Sequence, residues 1–546
     1  MADRPVRSRR RVRRTLATVG VALSVALVAP GLADAAPERP AAPTGGNSCP
    51  NRNNNTYDKL LECVSADAAM QHLEALQAIA DANDGTRASA TPGFDASADY
   101  VAGQLEAAGY AVTRQVFEFP FFEEQTPAVL EQVAPTPTSY ETGTFEYSGE
   151  GDVTGTIVPV DINLTGDRAS TSGCEPEDFN GLDFSGTEVA LVQRGSCDFA
   201  VKALNAQQAG AEAVVIFNQG NAAGRFDLIV GTLGDQSAGI IDIPVVGLSF
   251  DDGAALSTAT TARVATDVFL EFRTTENVIA DSTSGNPDNV VMAGAHLDSV
   301  LEGPGINDNG SGSAALLTTA LAMRKLNPTN HLRFAWWGAE ESGLVGSTYY
   351  VEHLPEDELA QIALYMNYDM VASPNFVHTV YDADESSFSA ADFGVVVPEG
   401  STAIEDVYES FYTLQGVPYD DTAFDGRSDY EAFILADIPA SGLFTGAEVA
   451  KTAEQAAIWG GTADVPFDSC YHQACDTIDN ISHEALDVNS DAIAFAMLTF
   501  AYSTETVNGV PGTRVPGRPL TLPAPAGPEG TFVPGGGASA PSHGQL

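Results

Sequence analysis

Four apolar runs in the later part of the 546-residue chain stop at the same kind of place. "NVVMAGA" runs out at His296, "HLRFAWWGA" at Glu340 and Glu341, and "IALYMNY" at Asp369, while "PASGLFTG" carries Phe444 to the same rim. A chain that repeats this ending is building one edge of one sheet, because in open parallel α/β sheets ligands collect just beyond the carboxyl ends of the strands. Residues 65–84 and 95–109 have the helical spacing of apolar side chains, and the strand-like "AVTRQVFEF" follows them. These features predict an α/β fold, with a mixed, mainly parallel central sheet flanked by helices.

The pattern changes between about 128 and 272. Short apolar runs such as "GTIVPVDI", "EVALVQRG", "AVVIFNQ" and "DIPVVGLS" alternate there with glycine turns around a single helix, "DFAVKALNAQQAG". A mostly-β domain inserted into the α/β domain accounts for the change, and divides the latter into residues 56–127 and 273–507. Segments 36–55 and 508–546 are rich in Pro, Gly, Ala and Asn, so they read as flexible tails, the second of them a candidate for trimming.

The chain is 44% hydrophobic and 18% charged, which supplies more than one core. Its formal charge is −49 even though residues 1–35 hold seven arginines and two acids; without them 18 basic residues face 72 acidic ones, a net −54. That acidity argues against nucleic acid or an anionic membrane as partner. The arginine-rich start, the apolar run Leu16–Val28 and the small-residue site Ala33-Asp34-Ala35 together read as an export signal over residues 1–35. The run is shorter than the roughly 18 residues a membrane anchor needs, so a secreted, extracellular protein with no membrane attachment is expected. Six cysteines fall into three neighbouring pairs, Cys49 with Cys63, Cys174 with Cys197 and Cys470 with Cys475, and an even number in an exported chain favours disulfides.

The polar strand ends carry the chemistry. "AGAHLDSVLEGPGINDNGSG" (293–312) offers His296, Asp298 and Asp308, and "DSCYHQACDTIDN" places His472 inside a short Cys-to-Cys loop. Imidazole nitrogen mixed with carboxylate oxygen suits zinc better than calcium or magnesium. His296, Asp308, Glu341, Asp369 and His472 are too many donors for one tetrahedral ion, but they fit two ions roughly 3.5–4 Å apart if a carboxylate bridges them. Asp308 lies among glycines and is the natural bridge; Asp298 would orient the His296 ring by accepting its other N–H. Each residue alone reads more simply as solvated surface or turn. Their joint placement at strand ends, or inside a cysteine loop, is what singles them out.

As a set, "GAHLDSV…GINDNGSG", "AWWGAEESGLVGS", "YMNYDM", "FDGRSDYEAF" and "CYHQACDTIDN" resemble the motifs of exported bacterial di-zinc aminopeptidases of the leucine-preferring type, over about 65–127 and 273–507. "VALVQRGSCDFAVKALNAQQAGAEAVVIFN" resembles the protease-associated (PA) domain. The resemblance implies a phosphorylase/hydrolase-like zinc-peptidase fold. It implies two zinc ions, one on His296 and Asp369, the other on Glu341 and His472, with Asp308 between them. Glu340 falls at the family's general base, Tyr471 at its oxyanion donor, Arg427 at a substrate-contacting arginine, and Phe444 beside the pocket for the first side chain. A cis peptide after the bridging aspartate, here Asp308–Asn309, is also implied. Some relatives hold calcium on two aspartates of the last helix, matching Asp487 and Asp491, although Cys63 and Val64 stand here where those relatives place their N-terminal ligands.

The implied enzyme removes leucine or other large apolar residues from the N-termini of peptides, and acts as a monomer. A carboxypeptidase or dipeptidase on the same scaffold is the alternative, with Arg427 as the residue that could receive a terminal carboxylate. A non-catalytic binding ectodomain is disfavoured by the full set of ligands, and a serine hydrolase by the lack of any G-x-S-x-G.

Overall fold

The computed structural model describes residues 49–222 and 224–528. The export signal (1–35), the start of the 36–55 segment and the last 18 residues of the tail, 529–546, lie outside the described residues.

Helix α1 (Ala66–Ala82) begins at Ser65, whose hydroxyl accepts Ala68 N–H, and α2 (Pro92–Ala108) begins at Thr91 and stops at Gly109 with φ 96°. Both ends follow ordinary capping chemistry: a hydroxyl for an orphan donor at the start, a left-handed glycine at the stop. The chain then enters two very long strands, β1 (Ala111–Ala134) and later β7 (Thr261–Asp281). Between them lie β2 (Thr138–Tyr140), β3 (Gly151–Pro159), β4 (Glu188–Gln193), helix α3 (Phe199–Ala209), β5 (Ala213–Phe217) and β6 (Val245–Leu248). After β7 come β8 (Asn286–His296), α4 (Gly310–Met323), β9 (Asn330–Trp337), β10 (Ile362–Tyr368), β11 (Thr379–Tyr381), α5 (Ser401–Gln415), β12 (Asp420–Thr422), β13 (Ala440–Phe444) and α6 (His483–Tyr502).

These strands form one 13-stranded sheet, in the order β12-β11-β13-β10-β8-β9-β7-β3-β4-β5-β6, with β1 on β7 and β2 on β1. Strands β9, β8, β10 and β13 are mutually parallel, so their carboxyl ends share an edge. Alternation of side chains assigns their faces. Val291, Ala293 and Ala295 of β8 join Trp336 and Leu364 in a core under α1, α2, α4, α5 and α6, whereas Met292, Trp337 and Tyr365 join a second core on the opposite face.

The insert is attached through strands, not linkers. Both sequence-derived junctions, 127/128 and 272/273, fall within the β1–β7 ribbon. Val278–Asp281 of β7 pair with β9, while Thr261–Thr266 pair with β3. The tails also differ from expectation where they are described. Thr513 N–H donates to Tyr502 O, Ser410 Oγ to Pro523 O and Gly527 N–H to Tyr419 OH, so residues up to 528 are held along the α/β body. Cys49 is bonded to Cys63, which fastens the other tail at its described end. Cys174–Cys197 and Cys470–Cys475 are bonded as well.

Candidate metal centre and active site

His296 is the last residue of β8, Asp369 follows β10, and Glu340 and Glu341 follow β9 by a turn in which Ala339 takes φ 54°. Asp308 precedes α4, and its peptide with Asn309 is cis. His472 comes from the loop closed by Cys470–Cys475, with φ 55°. Five distant segments thus meet at the carboxyl edge of the parallel strands.

The spacing is specific. His296 Nε2 lies 3.3 Å from Asp308 Oδ1 and 3.3 Å from Asp369 Oδ1. His472 Nε2 lies 3.4 Å from Asp308 Oδ2 and 3.0 Å from Glu341 Oε2. The two oxygens of Asp308 therefore face two different imidazole–carboxylate pairs. Donors bound about 2.0–2.1 Å from one tetrahedral zinc sit about 3.3–3.4 Å from each other, so each half of the cluster has the span of one ion's coordination sphere. Asp369 Oδ1 and Glu341 Oε1 are sealed from solvent with no hydrogen-bond partner, an arrangement that is costly unless a cation or a proton completes it.

The electrostatics agree. Burial opposes the charge on His296, but Glu340 and Asp369 outweigh it and hold the imidazole well above its ordinary value; Glu341 does the same for His472. Asp308 is depressed by the two imidazoles in spite of its burial. Glu341 is pushed up to about 7 by burial, and Asp429 likewise to about 7. Burial also raises Glu340, which lies 3.8 Å from His296 Nε2 and is 4% exposed.

Several supports went unread in the sequence. Asp476 accepts Asn307 N–H at 2.9 Å and Asp308 N–H at 3.0 Å, fixing the backbone on both sides of the Asn307–Asp308 peptide. Arg87, fully buried, donates to the carbonyls of Leu297, Pro304 and Gly305 and so pins the loop between His296 and Asp308. Ser428 donates to Asp369 Oδ2 at 2.7 Å, leaving Oδ1 for the cluster. Ser428 and Asp476 lie inside the motifs quoted above, but Arg87 has no local signal.

Asp298 does not act as expected. His296 Nδ1 meets the backbone oxygen of Asp298 at 3.1 Å, while the carboxylate stands 3.7 Å away and its Oδ1 accepts Glu340 N–H. Asp298 thus orients the ring through its main chain and the Glu340 turn through its side chain. Arg427 donates to Glu448 at 2.9 Å and to Tyr471 OH at 3.2 Å, and the Tyr471 ring stacks on His472. Phe444 lines a cavity of about 220 Å³ that opens from the cluster and is walled by Met370, Val377, Phe388, Phe393 and Phe467. The calcium candidates are not assembled into such a group. Asp487 Oδ1 accepts Ala66 N–H, and among the described residues no close set of three carboxylate or imidazole donors includes Asp487 or Asp491.

A mixed sheet whose strand ends gather two imidazoles and two further carboxylates around a shared aspartate has the donor set of a zinc-dependent hydrolase. Residues 277–497 match the family model for Peptidase family M28, and 153–256 match the PA domain. An aminopeptidase of Pseudomonas aeruginosa is 47% identical over 455 residues, covering 82% of this chain and 83% of its own. Leucine aminopeptidase 2 of Trichophyton rubrum is 37% identical, covering 88% and 92%. A zinc aminopeptidase from Bacillus subtilis has a similar structure, with TM-score 0.55 and 25% identity over 80% of this chain and 95% of that one. The chain belongs to peptidase family M28, as an aminopeptidase with an inserted PA domain.

Proposed function

We propose that this aminopeptidase works with two zinc ions bridged by Asp308, one held by His296 and Asp369 and the other by Glu341 and His472. The observation that carries this reading is the division of the Asp308 oxygens between the two imidazole–carboxylate pairs. Bound zinc supplies Lewis acidity, lowering the pKa of water and polarising the scissile carbonyl. Glu340, beside the ligands but not one of them, takes the proton of the attacking water and delivers it to the departing amine. Tyr471 accepts from Arg427 through a lone pair, which leaves its O–H to donate to the carbonyl oxygen as charge develops there.

The charge of the pocket favours an N-terminus as the recognised end. Arg427 is already engaged by Glu448 and Tyr471, so a terminal carboxylate has no uncommitted guanidinium to meet. Glu340, Asp369 and Asp425 instead line the cavity and suit an α-ammonium group. Its apolar far wall, including Phe444, suits leucine or another large apolar side chain, and relatives named leucine aminopeptidase support this preference. A second cleft of about 460 Å³ leaves His472 and Glu341 between the insert and the catalytic body, lined by Phe119, Phe121, Glu124 and Glu146, and gives the rest of the peptide a path. Three disulfides fit secretion into an oxidising environment.

Metal analysis beside the Glu340→Ala variant tests the reading. About two zincs per chain are expected in both proteins, with kcat lower by about 10²–10⁴-fold in the variant. One zinc per chain, or near-normal turnover in the variant, would refute it. Equal cleavage of leucine amide and its N-blocked form would refute recognition of the amine.

A further inference from the structure

A second group of carboxylates lies away from the catalytic ligands. Asp382 follows β11, Asp384 is in the loop beyond it, Glu405 and Glu409 stand one turn apart on α5, and Asp421 is in the middle of β12. Donor oxygens of Asp382, Asp384 and Glu405 lie within 4.8 Å of one another, and so do those of Glu405, Glu409 and Asp421. Glu405 belongs to both sets.

The group is interior. Asp382, Glu405 and Asp421 are each 2% exposed, Glu409 is slightly more open, and Asp384 is exposed to solvent. Among the described residues none of the five makes an ion pair with Lys, Arg or His, and the charges acting on Glu405 are all acidic: Glu409, Asp384, Asp382 and Asp421. Asp421 provides the observation that points to a ligand. Its Oδ2 accepts the hydroxyls of Ser386 and Ser387, but Oδ1 is shut off from solvent and has no hydrogen-bond partner. A carboxylate oxygen left bare in a nest of carboxylates lacks a positive charge, whether a proton or a metal ion.

The donor chemistry selects the ion. All five side chains offer hard oxygen and none offers nitrogen or sulfur, unlike the catalytic cluster, so zinc is not favoured here. Magnesium takes one or two carboxylates and keeps several of its waters, fewer protein oxygens than five carboxylates offer, whereas calcium takes six to eight oxygens in flexible geometry and accepts carboxylates readily. We propose that Asp382, Asp384, Glu405, Glu409 and Asp421 bind a calcium ion that fastens the 382–393 loop to α5 and β12. Phe388 and Phe393 of that loop, with Asp421 itself, line the cavity that opens from the catalytic cluster. Calcium thereby holds one wall of the pocket for the first side chain. That consequence rests on the function proposed above; the binding of calcium does not.

The test uses the zinc-loaded protein, desalted into calcium-free buffer and titrated with calcium chloride. Calorimetry is expected to show one calcium site per chain that is lost or weakened at least tenfold in both Glu405→Gln and Glu409→Gln. The unfolding temperature of the parent protein should rise with calcium, and that of the variants should not. Glutamine keeps the shape and removes a buried like charge, so the variants fold with or without the ion. A double Asp487→Asn, Asp491→Asn variant should keep the full response. No calcium binding by the parent, an undiminished response in both glutamine variants, a response lost in the asparagine pair, or binding of magnesium in preference to calcium would each overturn the proposal.

Discussion

His378 gives the protein a built-in sensitivity to acid that is separable from its metal centre. Its ring is 3% exposed and packs near Phe376 and Tyr412. Nδ1 lies 3.0 Å from Asn489 Oδ1, which also accepts Tyr412 OH, while Asn489 Nδ2 donates to Val371 O. The amide is thereby oriented, and the imidazole is a neutral tautomer carrying its proton on Nδ1. Burial, with a smaller contribution from the Lys451 charge, lowers its pKa from 6.5 to about 4. The unfolded chain binds a proton near 6.5 and the folded chain does not until near 4. The stability contribution is therefore complete above the unfolded value, and is lost progressively as pH falls from 6.5 to 4. A gap of this size amounts to about 3 kcal/mol in full and about 2 kcal/mol between pH 7.5 and 5, at about 1.4 kcal/mol per unit. Substituting His378→Gln keeps a neutral donor for Asn489 and removes the titration. Denaturant unfolding of both proteins at pH 7.5 and 5, at equal zinc, isolates the term, because titration of His296 and His472 cancels in the comparison. The variant should lose about 2 kcal/mol less stability on acidification than the parent. Equal losses would refute the reasoning, as would a histidine NMR resonance absent from the variant that titrates in the folded parent near 6.5.

Two further outcomes follow from the site. Tyr471→Phe should lower kcat by about 10²–10³-fold with little change in KM, since the hydroxyl is read as acting on charge that develops during reaction; steady-state kinetics on leucine amide checks this, and a purely KM effect contradicts it. Replacing Cys470 and Cys475 together by alanine frees the loop that presents His472, so about one zinc per chain should be lost to a chelator dialysis that leaves the parent fully loaded. Metal analysis showing full retention in that variant would mean that Asp476 and its partners hold the loop unaided.

Four of the five candidate ligands were legible because each ends an apolar run or sits between two cysteines, and the fifth, Asp308, because it stands in a glycine-rich loop; such positions are visible in one dimension. His296, Asp308, Glu341, Asp369 and His472, marked in the sequence, are the residues that meet. What escaped acts across the fold. Arg87 holds carbonyls more than 200 positions away, and a carbonyl leaves no trace in the sequence. The second acidic group draws on three segments, each of which reads alone as a solvated turn or helix face. The main-chain role of Asp298 was hidden for a related reason: a histidine two residues before an aspartate can meet either its carboxylate or its carbonyl, and only the turn decides.

The insert shows how a correct change of pattern can conceal a connection. The runs between 128 and 272 differ from the flanking sequence, and a domain boundary is the natural reading. Strand β1 instead continues past the join as "FEFPFFEEQTPAVLEQVA", where two prolines and paired acids break the alternation that marks a strand. Its partner tolerates this because the ribbon shifts register between Glu124 and Thr126 and again before Val129, so the irregular residues are taken up without ending the pairing. A join made of paired strands restrains rotation far more than a pair of single-chain linkers does. Tyr147 of the insert adds a fixed point at the catalytic edge, donating its hydroxyl to the carbonyl of Ser342, the residue after Glu341. The insert is therefore placed to shape the approach to His472 and Glu341 as a standing wall of the cleft.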